Sequence, residues 1–183
     1  NCVSVSYGIE SGSQQMLDNM NKRTTVEIAE DAVNATRACG MQAPCSFIIG
    51  YPGETRETAL ETAAFCVRNR VRLNSMTFAT PYPGSKLWEF CVPFLQERTG
   101  YTESQFIERL GDAVEFTINL TDMTTPALVA LRDEVIAEVQ ARVPAQTQAD
   151  ADAKDRALYG PLWRKVLAAR SAQDPEYLEH RRK

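Results

Sequence analysis

A chain of 183 residues, 44% hydrophobic and 24% charged, is long enough for one domain with a substantial core, or for a core plus an appendage. Its 20 Lys and Arg against 24 Asp and Glu leave a net charge of −4, which argues against a general nucleic-acid or membrane surface. No apolar run approaches the roughly 20 residues that a membrane helix needs.

The first ninety residues repeat one unit. "CVSVSYGI" (2–9) is rich in β-branched residues and reads as a buried strand. Thr24 with Glu27 forms a capping-box pattern, and Val26, Ala29, Ala32, Val33 and Ala38 follow at helical spacing up to Gly40, a C-cap glycine. "CSFIIGY" (45–51) is the second strand. Residues 55–69 form the second helix, with Leu60, Ala63, Ala64 and Val67 on one face. "SMTFATPYP" (75–83) is the third strand, ended by its prolines. Strands alternating with helices over short links predict parallel pairing and right-handed crossovers.

Each of these strands is apolar on both faces, as in a sheet covered by helices. Each also ends in glycine, proline or small polar residues. In α/β proteins ligands bind at that edge, so residues 10–13, 50–55 and 80–85 are expected on one rim.

The pattern changes beyond residue 90. Thr102 with Gln105 is another capping box, and Thr125 before Pro126 reads as an N-cap and first helical residue. Leu128, Leu131, Val135 and Val139 then make an apolar helix face ending near Pro144. "PAQTQADADAKD" (144–155) reads as a linker or a weakly anchored helix. "GPLWRKVLAAR" (160–170) reads as a short docking helix through Leu162, Trp163, Val166 and Leu167, before a frayed tail at 171–183. The five cysteines (Cys2, Cys39, Cys45, Cys66 and Cys91) have no metal-ligand spacing, and the one histidine, His180, lies in the charged tail. They read as small buried hydrophobes in a reducing cytosol, so a cytoplasmic location and no metal ligands are expected.

"GIESGSQQMLDNMNKRTT", then "FIIGYPGET", then "TPYPGSKLWE" resemble the second half of a radical S-adenosylmethionine (SAM) catalytic domain. The likeness is strongest to the branch often preceded by a cobalamin-binding domain, which includes anaerobic magnesium-protoporphyrin ester cyclase-like enzymes. "NLTDMTTPALVALRDEV" (119–135) resembles that branch's helical extension more weakly. The resemblance implies an α/β fold, the C-terminal half of a partial (β/α)6 TIM-like barrel, with three parallel strands as its fourth to sixth. Residues 1–92 would form the half-barrel, 93–143 the helical extension, and 144–183 the linker, docking helix and tail.

The resemblance also implies cofactors and roles. The intact parent would reductively cleave SAM to a 5′-deoxyadenosyl radical, or transfer methyl groups where cobalamin is used. It would draw electrons from a donor such as flavodoxin or ferredoxin and act on a small-molecule substrate. Glu10 would accept hydrogen bonds from ribose or substrate, Ser11 and Ser13 would add hydroxyls, and Gly12 would let the backbone approach the ligand. Ile48 or Ile49 would pack on adenine, with Gly50 leaving room for it. Pro52 and Gly53 would make a tight turn, and Glu54 would begin the next helix. Thr80, Pro81, Tyr82, Pro83, Gly84 and Ser85 would form the last rim segment, facing adenine or substrate. The competing reading of 10–13 and 50–55 is a pair of helix-capping turns.

One departure stands out. The family's C-x-x-x-C-x-x-C motif for a 4Fe–4S cluster is absent, as is its glycine-rich loop. The chain is therefore expected to be a fragment whose missing N-terminal half binds the cluster, and to be inactive alone. The alternatives are a cluster-less homologue acting as a binding module, and an unrelated α/β-barrel enzyme. Against the last, there is no G-x-G-x-x-G, phosphate-loop lysine motif or nucleophile elbow.

Overall fold

The computed structural model describes residues 2–111, 115–145 and 147–173. His180 and most of the 171–183 tail lie outside these residues. The elements are β1 (Tyr7–Glu10), α1 (Gln14–Asn19), α2 (Val26–Ala38), β2 (Cys45–Ile49), α3 (Arg56–Arg68), β3 (Thr77–Phe78), α4 (Lys86–Thr99), α5 (Glu103–Ile107), α6 (Thr125–Arg142), α7 (Gln148–Tyr159) and, after a 3-10 turn at Gly160–Leu162, α8 (Trp163–Gln173).

β1, β2 and β3 form a parallel sheet in that order. All three strands are shorter than the apolar patterns predict. Pairing of the first does begin upstream, with Gln42 donating its N–H to Val3 C=O and Val5 donating to Gln42 C=O, each at 2.9 Å. In the third, Thr77 and Phe78 pair and Ala79 adds one further bond, its N–H to Ile49 C=O at 2.9 Å, before Pro81 and Pro83, which carry no N–H for a ladder.

The sheet is covered on one face. Ile9, Phe47, Ile49 and Phe78 are buried against Ala29 and Val33 of α2, Ala59, Ala63, Phe65 and Cys66 of α3, and Leu128, Leu131, Val135 and Val139 of α6. Tyr7 belongs to this side, its hydroxyl 2.6 Å from Thr36 Oγ1 of α2. The alternating positions stand on the other face, where Ser6, Gly8 and Ser46 are exposed and Ile48 and Thr77 half-buried. A second, smaller core joins Cys91 and Leu95 of α4 to Phe106, Ile118 and Leu120.

Local capping explains most boundaries. Thr25, not Thr24, caps α2 by accepting Ile28 N–H, and Thr124, not Thr125, caps α6 by accepting Ala127 N–H. In each pair the residue immediately before the helix is the one whose hydroxyl accepts from the N–H three positions on. Thr55 and Thr102 build the capping boxes of α3 and α5. Of the cysteines, Cys66 and Cys91 are buried and Cys45 half-buried, whereas Cys2 and Cys39 are exposed, correcting the expectation that all are core residues. Burial pushes the Cys45 and Cys66 thiols up to about 11 and 12, so both are inert as nucleophiles near neutrality. In the docking segment Trp163 is buried but Leu162 is exposed.

Candidate functional site

Because the three strands run parallel, the turns after β1, β2 and β3 leave from one edge of the sheet. The turn after β1 begins with a bulge at Glu10, whose φ is +72°, a left-handed conformation uncommon for a residue with a side chain. That backbone sends the Glu10 carboxylate back along the strand. A Cβ at Gly8 would stand 2.7 Å from Glu10 Oε1, so the carboxylate lies over the open face of the sheet. There Lys22 Nζ meets Oε1 at 3.0 Å. The pair is partly solvated, and it offers one carboxylate and one ammonium to a ligand with hydroxyl or carboxylate groups.

Ser11, Gly12 and Ser13 are not presented to this face. They are buried against α3. A Cβ at Gly12 would stand 2.6 Å from Phe65 Cβ and 2.7 Å from Thr62 Cα, so the glycine permits close approach of a helix. Gly12 N–H donates to Thr62 Oγ1 at 2.9 Å, Ser11 Oγ lies 3.2 Å from the same atom, and Ser13 N–H donates to Ser11 Oγ at 3.1 Å. Ser13 Oγ is buried and has no hydrogen-bond partner among the described residues.

In the turn after β2, Ile48 faces the open side while Ile49 is buried in the core. Gly50 lies one residue beyond the strand with φ +83°, and a Cβ there would be 3.1 Å from Leu128 Cδ2 of α6. The space beside Gly50 thus belongs to α6. Pro52 and Gly53 form the corner of a tight turn closed by Glu54 N–H on Tyr51 C=O at 2.9 Å. Glu54 is 5% exposed, with Thr58 Oγ1 donating to Oε1 at 2.7 Å and Gly50 N–H to Oε2 at 3.3 Å. Burial raises its carboxyl to about 7 despite both bonds. Asn19 Nδ2 donates to Pro52 C=O at 3.3 Å and so ties α1 to this turn.

The third turn diverges. Thr80 is half-buried and Pro81 buried, while Tyr82, Pro83 and Gly84 are exposed; Tyr82 OH donates to Gly111 C=O at 3.1 Å. Ser85 caps α4 by accepting Trp88 N–H. The rim therefore leaves Glu10, Ile48, Pro52, Gly53, Thr80 and Tyr82 exposed or half-buried, while Ser11, Gly12, Ser13, Ile49, Gly50 and Glu54 are buried beneath it. Lys22, Thr62 and Leu128 complete the site from across the fold and Thr58 by a local bond to Glu54; the sequence pointed to none of them as a site residue, and to Leu128 only as part of an apolar helix face. Among the described residues no three His, Cys, Asp or Glu gather as a metal would require.

What these elements define is an α/β unit with a strand-end site on one open sheet face. No family model matches the chain. Half of the chain is 41% identical, over 91 residues, to an uncharacterized methyltransferase of Pyrococcus horikoshii, the matched segment being 20% of that protein. A protein of Methanocaldococcus jannaschii named as a methylthiotransferase is 36% identical over 93 residues, 51% of this chain and 21% of its own. The anaerobic magnesium-protoporphyrin IX monomethyl ester cyclase of Rubrivivax gelatinosus is 32% identical over 87 residues, 48% of this chain and 16% of its own. These names are those of enzymes, and the matched segment spans about a fifth of each relative or less.

Proposed function

We propose that this chain is part of a radical SAM enzyme and that its strand-end edge contacts SAM and substrate. The carrying observation is Glu10, held left-handed so that its carboxylate lies, paired with Lys22, over an open sheet face. The three sequence motifs and the relatives named for methyl transfer, methylthio transfer and cyclisation support the same reading.

The residues present fit an adenosyl ligand at this edge. Glu10 accepts hydrogen bonds from ribose hydroxyls, Lys22 balances a carboxylate, and half-buried Ile48 supplies apolar surface beside them. The bound cofactor supplies reductive cleavage for radical chemistry or a methyl group for transfer. This chain's share is to bind and orient. The ligands of a 4Fe–4S cluster would come from an N-terminal half of the parent, the electrons from an external donor, and cobalamin, where used, from a further module.

The test is made on the full-length protein that contains this segment, purified without oxygen. Incubation with SAM and a reductant should yield 5′-deoxyadenosine or S-adenosylhomocysteine, and Glu10→Gln should weaken SAM binding about tenfold with the melting temperature little changed. Neither nucleoside product nor calorimetric SAM binding in the unmodified protein would overturn the reading.

A further inference from the structure

Two threonines stand one turn apart on the buried face of α3, Thr58 at 5% exposure and Thr62 at 2%. The rest of that face is Ala59, Ala63, Phe65 and Cys66, the composition of a helix packed by shape alone. Most buried hydroxyls in folded proteins are partnered, and these two find partners on different turns of the rim. Thr62 Oγ1 accepts Gly12 N–H and contacts Ser11 Oγ, which in turn accepts Ser13 N–H. Thr58 Oγ1 donates to Glu54, which accepts Gly50 N–H. One helix therefore holds the backbone of the turn after β1 and the backbone of the turn after β2.

The contact at Gly12 shows how tightly this is done. Any Cβ there would run into Phe65 Cβ, Thr62 Cα and Glu61 C=O at 2.6 to 2.9 Å, so the first turn rests directly on the helix. Glu10, the residue turned onto the open face, is two positions from Gly12. Its left-handed backbone is uncommon and persists only where its surroundings enforce it.

We propose that Thr58 and Thr62 are positioning residues. Through Ser11, Gly12 and Glu54 they register the first two strand-end turns against each other and so fix Glu10 relative to the end of β2. This rests on the reading above, in that the ligand so positioned is SAM. It goes beyond that reading in assigning the placement to α3, which packs in the core on the covered side of the sheet. The helix bearing Thr58 and Thr62 is anchored in the core by Ala59, Ala63, Phe65 and Cys66, which sets the spacing of the two turns that hang from it.

The experiment compares Thr62→Val, nearly the same shape without the hydroxyl, and Thr62→Ser, which keeps it, in the full-length protein. Amide hydrogen exchange and calorimetric SAM titration are read well below the melting temperature. In Thr62→Val the Gly12 and Ser13 amides should exchange at least about tenfold faster while Val33 and Ile49 are unchanged. SAM should bind about tenfold more weakly, and Thr62→Ser should restore both. Should Thr62→Val not fold, Thr62→Ala carries the same two readouts. Unchanged exchange at Gly12 and Ser13 overturns the proposal, and so does unchanged affinity in a variant whose only defect is a lower melting temperature. If the unmodified protein binds no SAM, the functional reading fails by itself, and the exchange rates still decide whether Thr62 holds the turn.

Discussion

Leu128 of α6 closes over Gly50 at the end of β2, so near that a Cβ on the glycine would lie 3.1 Å from Leu128 Cδ2. This relationship reverses an expectation. In a strand, valine would be welcome at position 50. Gly50 is instead past the strand at φ +83°, where a β-branched residue is strained. Gly50→Val should destabilise the protein by about 2 kcal/mol or more from backbone strain and the clash together. Leu128→Ala, which empties a fully buried site, should cost about 2–5 kcal/mol by itself. Chemical denaturation measures both, and a Gly50→Val protein as stable as the parent would show that Leu128 does not occupy that space.

Glu54 gives the protein a pH dependence of definite sign. Its carboxyl is raised by burial from 4.5 to about 7 in the folded state. A raised pKa means that the folded protein holds this proton more tightly than the unfolded chain. The stabilisation is therefore complete below about pH 4.5 and is lost as pH rises through about 7. Its full size is roughly 3 kcal/mol, from about 1.4 kcal/mol per unit. Glu54→Gln removes the titration and keeps one amide oxygen able to accept from Thr58 Oγ1, while its Nε2 then faces the Gly50 N–H, a cost that does not change with pH. The melting temperature of the unmodified protein minus that of Glu54→Gln should fall steadily between pH 4.5 and 8. A flat difference would mean that Glu54 is ionised at no cost.

Much of the architecture was legible in the sequence, and the misses have physical causes. β-branched runs and helical spacing found β1, β2, α2, α3 and α6, because those elements bury one face. α1 follows the bend at 10–13 as the helix-capping reading of that turn implies, but its six residues bury only Met16 and Leu17, too short a run for a period to fix its bounds. α4 was hidden by its own punctuation. Pro83 and Gly84 precede it and Pro93 lies within it, exposed, where its ring removes one hydrogen bond without ending the helix. The rim was found as a set of positions, but not the division of labour within it. "ESGS" looks alike whether its serines face a ligand or a helix. Thr62, fifty residues away, decides that Ser11 and Gly12 face the helix. Lys22 was equally silent, since nothing local links it to Glu10.

The capping register is checked by a pair of substitutions. Thr25→Ala should cost about 1 kcal/mol, because Thr25 Oγ1 accepts Ile28 N–H at the start of α2. Thr24→Ala should cost a few tenths at most. The ranking comes from urea midpoints, and the opposite order would move the helix start by one residue.

The Glu10–Lys22 pair should matter far more to binding than to folding. Its side chains are 22% and 36% exposed, so solvent screens the attraction and its loss should cost less than about 1 kcal/mol of stability. Lys22→Ala should therefore leave the melting temperature within about 3 °C while weakening a carboxylate-bearing ligand severalfold. Salt titration distinguishes the two effects. A large loss of stability would make the pair structural and remove Lys22 from the site.

The last prediction concerns the outer edge of β1. In the described sheet β1 pairs with β2 alone. Val5 and Tyr7 direct their N–H groups at Gln42 and Pro44. N–H groups alternate between the two sides of a strand, so those of Ser4, Ser6 and Gly8 point away from β2. No proline or lysine stands between Cys2 and Gly8 to block another strand from adding there. The open face beside this edge is mostly polar, with Ser6, Gly8 and Ser46 exposed, because Tyr7 packs on α2 rather than outward. Association should therefore be driven by backbone pairing more than by apolar burial, and it should be reversible and concentration-dependent. Ser6→Pro tests this directly. It removes an outward N–H and none of the bonds to β2, so the sheet survives while the edge is blocked. Sedimentation of the chain alone should show self-association rising with concentration, and Ser6→Pro should return it to monomer with the melting temperature nearly unchanged. A chain that stays monomeric at every concentration, or a Ser6→Pro variant that associates as strongly as the parent, would mean that this edge is not the site of contact.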